Sequence, residues 1–87
     1  MTEIEFGKYF LDSVERLPKA IQQKLDALIA TLATNPFDPR LHTKPLVGNF
    51  EGYLSFRITR DWRVVFIYKS QTTIELIRAM HRKDAYR

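Results

Sequence analysis

Between residues 53 and 68, apolar and polar side chains alternate almost without a break. In "YLSFRIT", Leu54, Phe56 and Ile58 fall on one side and Tyr53, Ser55, Arg57 and Thr59 on the other, the period of two that a half-buried strand requires. "WRVVFIY" follows after Arg60-Asp61, close enough for a tight hairpin. Here Trp62, Val64, Phe66 and Tyr68 share one face, while Arg63, Val65 and Ile67 share the other. "SQTT" reads as a polar turn, and "TIELIRAM" has the β-branched and apolar content of a third strand. "TEIEF" places Ile4 and Phe6 on one side and predicts a short edge strand within residues 1–6.

From Gly7 the period changes. Phe10, Val14 and Leu17 recur at helical spacing, and Pro18 then interrupts, because proline lacks an amide proton and restricts the residue before it. Pro18 is placed to open a second helix at its first turn. That helix carries Ile21, Leu25, Leu28 and Leu32 on one stripe with Ile29 beside it, and Gln22, Gln23, Lys24 and Asp26 elsewhere. "TNPFDP" ends it, with Asn35 expected as a left-handed cap before a proline that cannot continue the helix. The expected fold is α+β: an N-terminal helical hairpin packed on one face of a small antiparallel β-sheet.

The chain has 87 residues, enough for one domain with one modest core, so residues 1–87 are read as a single unit. Cysteine is absent, which removes disulfides and thiolate metal sites. "MTEIEFGKYF" has acids where a signal peptide needs cations, and no apolar run has membrane-spanning length. A cytoplasmic chain with no membrane partner is expected. Charge is divided unevenly: residues 1–39 carry four Lys and Arg against six Asp and Glu, a net −2, while residues 40–87 carry ten against four, a net +6. Such a basic half suits either a polyanion, nucleic acid above all, or plain solubility.

Placement sharpens that choice. If Leu54, Phe56 and Ile58 face the helices, Arg57 projects from the opposite face, and Arg63 does the same from the next strand. Two arginines on neighbouring strands, beside the basic end "HRKDAYR", make an anion site; singly, each also serves as a solvated partner for a carboxylate. His42 and His81 are the only histidines, without a second ligand at suitable spacing, and the three glycines form no phosphate loop. No metal and no cofactor are expected; Gly48 and Gly52 read as turn punctuation around "NFE". What remains is phosphate chemistry by His81, Arg82, Tyr86, Arg57 and Arg63. Metal-free RNA cleavage needs a base for the ribose 2′-hydroxyl, cations for charge growing on phosphorus, and an acid for the departing oxygen. Histidine suits either proton role, and tyrosine can stack on a base or carry a proton. The ordinary alternatives are a strand-end hydrogen bonder for His81 and a ring patched on the core for Tyr86.

The order of these segments is similar to that of the RelE/ParE superfamily of toxins from type II toxin–antitoxin modules. "ERLPKAIQQKL" sits where that family has its helical hairpin, and "LHTKPLVGNFEGYLSFRI" resembles its loop, glycine and arginine-bearing strand. "DWRVVFIY" resembles its aromatic-Arg-Val strand, and "HRKDAYR" a C-terminal signature of the RelE-like branch. The resemblance implies a compact α+β toxin, bound by a cognate antitoxin protein in a hetero-oligomer, that cleaves mRNA on the ribosome. By position it implies catalytic roles for Arg63, Arg82 and Tyr86, with His81 at a place that varies between histidine and lysine. Arg57, Lys44 and Lys83 are the implied RNA-binding cations. The chain stops one residue after Tyr86, so the extra C-terminal helix of some relatives is not expected.

Two function classes follow. The first is a ribosome-dependent endoribonuclease, an mRNA interferase that inhibits translation. The alternative is a ParE-like inhibitor of DNA gyrase that binds without chemistry of its own. Proton-transfer groups beside arginines favour the nuclease, since a binding module has no use for them. An inactive relative, retained as an antitoxin-bound regulator, is the third reading.

Overall fold

The computed structural model describes residues 2–46 and 51–85. Their elements are β1 (Glu3–Phe6), α1 (Lys8–Glu15), α2 (Lys19–Thr34), a single 3-10 turn (Pro39–Leu41), β2 (Lys44–Pro45), β3 (Tyr53–Arg57), β4 (Trp62–Tyr68), β5 (Thr73–His81) and a one-turn α3 (Arg82–Ala85). The strands form one sheet in the order β1-β5-β4-β3-β2. From β2 to β5 every pairing is antiparallel, as the hairpin spacing requires. The edge differs from expectation, because β1 pairs with β5 in parallel and the sheet is mixed. The hairpin α1-α2 carries the chain across the sheet before β2, so β5 returns to β1 running in the same direction.

The faces expected from alternation are the faces observed. Phe56, Ile58, Val64 and Phe66 are buried together with Ile74, Leu76 and Ala79, and they meet Phe10, Leu17, Leu25 and Leu32 of the helical layer. Leu54 and Trp62 pack against this core from its margin. The phenyl rings of Phe56 and Phe66, across β3 and β4, lie 6.0 Å apart between centroids. Burial of this apolar set is the main force closing the fold.

Several local details depart from the sequence reading. Asn35 is extended (φ −157°, ψ 103°) and not left-handed, because a following proline drives its neighbour out of helical and left-handed space. Its carboxamide oxygen instead accepts from the amide of Phe37 at 3.0 Å. The left-handed residue is His42 (φ 51°), which closes the 3-10 turn. Asp38 opens that turn, accepting from the Arg40 amide at 2.9 Å and from its guanidinium Nε and Nη2 at 3.0 and 2.9 Å. These bonds lower the Asp38 carboxyl to about 2. Lys44, expected in a loop, lies in the two-residue strand β2 opposite Ser55. A helical turn does form after β5, over Arg82–Ala85. Gly52 is in a positive-φ turn conformation (φ 87°), while the turn expected at Gly48 lies outside the described residues.

Gly7 joins β1 to α1, where its amide donates to the Leu76 carbonyl at 3.0 Å. A Cβ at this position would stand 2.6 Å from that same oxygen, so close approach, not unusual torsion, demands glycine.

A second joint lies one strand further in. Phe66 pairs with Leu76 but Val65 pairs with Arg78, so β5 contains one extra residue, Ile77. Ser13 of α1 reaches this irregularity: its hydroxyl donates to the Phe10 carbonyl at 2.7 Å and accepts from the Ala79 amide at 2.9 Å. Replacing it removes the acceptor from a part-buried β5 amide two residues beyond the extra Ile77. Ser13→Ala should therefore destabilise the fold by about 1–3 kcal/mol, measured as a lower urea midpoint with an unchanged m-value. A loss below about 0.5 kcal/mol would mean that α1 does not pin the bulge.

Candidate nucleic-acid interface

The face of the sheet opposite α1 and α2 is organised in cross-strand rows. Arg57, Arg63 and Met80 stand opposite one another on β3, β4 and β5. The next row is Lys44, Ser55, Val65 and Arg78, crossing from β2 to β5. A third row joins Tyr53, Ile67, Glu75 and Glu5, the last from β1. Opposed residues share a face of the sheet. Four cations thus occupy two adjacent rows, and carboxylates take over at the β1 edge. There Lys69 donates to Glu5 at 2.9 Å, which holds its ammonium more firmly protonated than a free lysine.

Arg57 and Arg63 are the centre of the basic end. Like charges directly opposed across a ladder are destabilising, and arginine cannot relieve the repulsion by losing its proton. Arg63 is only 6% exposed, so part of its hydration is gone as well. Two buried polar atoms beside it, Arg57 Nε and the Ser55 hydroxyl, have no hydrogen-bond partner among the described residues. Buried polar groups of this kind call for a ligand or an ordered water. An oxyanion set over Arg57 would answer both the repulsion and the orphaned donors. Sequence alone does not single out Ser55. A hydroxyl on an alternating strand is ordinary until the register sets it, fully buried, beside two arginines.

The C-terminal candidates are distributed differently. Trp62 pairs with His81 and Arg63 with Met80, so His81 lies on the helix side of β5, away from Arg57 and Arg63. Its ring meets Trp62 edge-on, with centroids 5.1 Å apart and planes at 80°. Nδ1 of His81 accepts from the Lys83 amide at 3.2 Å, which leaves Nε2 as the nitrogen that can exchange a proton. Arg82 is tied to the β3–β4 turn: its amide donates to the Asp61 carbonyl at 2.7 Å and its Nε lies 3.5 Å from the Asp61 carboxylate. This exposed pair orients the guanidinium without contributing much stability. Lys83 is exposed on α3, and Tyr86 lies outside the described residues. The structure therefore brings Arg57, Arg63 and Lys44 onto one face and does not bring His81 to it. Among the described residues, no group of His, Cys, Asp and Glu is arranged to hold a metal ion, and no helix is long and apolar enough to cross a membrane.

The chain matches the family model of the ParE toxin of type II toxin–antitoxin systems over residues 4–86. Among solved structures it is similar to YafQ from E. coli strain BL21(DE3), with a TM-score of 0.79 and 20% identity over 100% of both chains. It is also similar to a YoeB/ParE toxin from Agrobacterium tumefaciens, with a TM-score of 0.75 and 26% identity over 93% of this chain and 99% of that one. The RelBE2 toxin–antitoxin complex from Mycobacterium tuberculosis matches with a TM-score of 0.76 and 24% identity, covering 93% and 98%. No curated protein matches the chain. The hairpin on a five-stranded sheet is thus a toxin fold, and with a family match along nearly its whole length the chain belongs to the ParE toxin family of type II toxin–antitoxin systems.

Proposed function

We propose that this toxin acts as a ribosome-dependent mRNA endoribonuclease, using neither metal nor cofactor. The observation that carries the reading is the opposed pair Arg57 and Arg63, set at the basic end of the sheet face opposite α1 and α2. In this reaction the ribose 2′-oxygen attacks the adjacent phosphorus and loses its proton. The bond from phosphorus to the 5′-oxygen breaks, that oxygen gains a proton, and a 2′,3′-cyclic phosphate remains. Charge grows on the non-bridging oxygens, and guanidinium groups fixed in advance stabilise it without reorganising. Arg57 and Arg63 take this role, with Arg82 entering from α3. Lys44 and Lys83 guide the RNA backbone. Tyr86 is the proton-transfer candidate for this face, while His81 can serve it only if the RNA turns around the end of β5. Mapping mRNA 5′ ends after induction tests the reading directly: new ends inside translated codons are expected.

A second reading is a ParE-like gyrase inhibitor acting by binding alone. It is favoured by the separation of His81 from the two arginines, which a purely binding face tolerates. Loss of DNA supercoiling by purified gyrase, with intact mRNA, would establish it and displace the nuclease. Neither effect would leave the inactive regulator.

Replacing Arg57 by Ala and Arg63 by Met, which keeps the buried stem volume, should weaken ribosome or RNA binding. The slope of log affinity against log salt should fall in magnitude by about one to two. An unchanged slope would remove the sheet face from the interface.

Arg82→Ala and Tyr86→Phe should each lower ribosomal cleavage by tenfold or more, with melting temperature nearly unchanged. Tenfold corresponds to about 1.4 kcal/mol of transition-state stabilisation, within reach of one charged donor. Cleavage within about twofold of the parent in both stable variants would leave Arg63 as the principal catalytic cation.

The partner on this reading is a cognate antitoxin, as the solved RelBE2 and DinJ-YafQ complexes are toxin–antitoxin pairs. An acidic segment would neutralise the cation rows by covering them or by displacing α3. Hydrogen exchange should then show protection within residues 53–85 on antitoxin binding. Protection confined to surfaces remote from these residues would contradict occlusion.

A further inference from the structure

The helix side of the same strand end carries a cleft of about 670 Å³ between α1 and the last residues of β5. Its lining includes Tyr9, Asp12 and Arg16 of the α1 segment, Trp62 of β4, Arg78 and His81 of β5 and Asp84 of α3. Tyr9, Asp12 and Arg16 recur at spacings of three and four, so one face of α1 presents all three. Leu17 and Ala79 also line the cleft and belong to the core, and the Ser13 hydroxyl fixes α1 against β5 there. The cleft is thus walled by packed elements. Its charged groups are not consumed by the fold: among the described residues, Asp12, Arg16 and Asp84 make no side-chain hydrogen bond or ion pair. Tyr9 is 76% exposed and serves no core.

We propose that this cleft is a nucleotide subsite, which takes the base next to the phosphate held at Arg57 and Arg63. The inference rests on the RNA-directed reading above and adds a second contact on the other side of β5. Met80, opposite Arg63, and His81, opposite Trp62, are consecutive residues on opposite faces. The arginine row and the cleft therefore flank the same strand end from its two sides, and an RNA bent around that end would meet both. Aromatic rings offer a stacking surface to any base. Carboxylates accept hydrogen bonds from exocyclic amino groups, so Asp12 and Asp84 favour guanine, adenine and cytosine over uracil. Arg16 answers the phosphate or stacks on the base plane. His81 is then a binding residue, its Nδ1 committed to Lys83 and its ring standing against Trp62. The competing occupant is a lysine or arginine side chain from a partner protein, since aromatics with carboxylates also bind cations. Two features favour the nucleotide: Arg16 lies in the cleft, and a volume of this size exceeds what one guanidinium fills.

Trp62 is the only tryptophan, so emission excited at the red edge, where tyrosine does not absorb, reports on this cleft. Titration with GMP, AMP and CMP should change the emission saturably, and UMP should bind at least about fivefold more weakly. Arg16→Ala should weaken all four by about tenfold, while Asp12→Asn with Asp84→Asn should erase the preference against UMP. Both sets lie at exposed positions, and an unchanged melting temperature confirms the fold. No response to any nucleotide up to about 10 mM, responses unaltered in both variants, or a response to arginine methyl ester but not to nucleotides would each overturn the subsite. The Arg57 and Arg63 variant separates the two readings. Lost cleavage with retained nucleotide response supports both. An inactive parent that still binds nucleotides sinks the nuclease reading and keeps the cleft.

Discussion

One extra residue in β5 decides where the end of the chain does its work. Ile74 and Leu76 face the core, and uninterrupted alternation would bury Arg78 and Met80 and turn His81 toward Arg63. The insertion of Ile77 reverses this parity. Ala79 becomes the buried residue, Arg78 and Met80 join the arginine face, and His81 turns to Trp62. The Ala79 amide donates to the Ser13 hydroxyl. A side chain on α1 therefore helps set which functional groups stand on which side of the sheet. Bulges re-aim side chains in this manner near functional sites.

The arginine rows set like charges opposite one another in the ladder. Apolar residues at Arg57 and Arg63 would form a better ladder pair and would bury no charge. The structure keeps the cations together and places Glu5 and Glu75 two rows away and Glu3 one row further, with Glu5 bonded to Lys69 and Glu3 to Thr73. A carboxylate close to Arg57 would relieve the repulsion, and it would also exclude phosphate. Charges of opposite sign are thus segregated along one face of the sheet.

Much of this architecture is legible in the amino-acid pattern alone. The stripes of Ile21, Leu25, Leu28 and Leu32, and the alternation from Leu54 to Tyr68, are strong because burial imposes a period on every turn of helix or pleat of strand. The pairing of Arg57 with Arg63 is less legible: a two-residue turn at Arg60-Asp61 would set Arg57 opposite Val64, whereas three residues separate the bonded Ile58 and Trp62 and shift the register by one. The parallel edge is hidden because direction depends on the path of the intervening chain, not on β1 itself. β2 is hidden because two residues carry no period. The bulge does leave a trace: Arg78 occupies a position that strict alternation assigns to the core, two residues after Leu76. A charged side chain at a nominal core position means that either the strand ends or its register shifts. As a string of letters "HRKDAYR" suggests a single cluster, but it contains residues for two sides.

That division bears on how catalysis and binding are separated. A proton-transfer group must lie within hydrogen-bond reach of the reacting oxygen, and among the described residues no histidine does so on the arginine face. What that face offers is fixed positive charge, beside a guanidinium, Arg82, that Asp61 holds at the strand end. On the proposed nuclease reading, a phosphorane at such a face would be stabilised by electrostatics first, with proton transfer adding a smaller factor. The same charge, without a proton carrier, attracts any polyanion and reacts with none. On the proposed nuclease reading, the proton carrier for the arginine face must therefore come from a residue other than the two histidines.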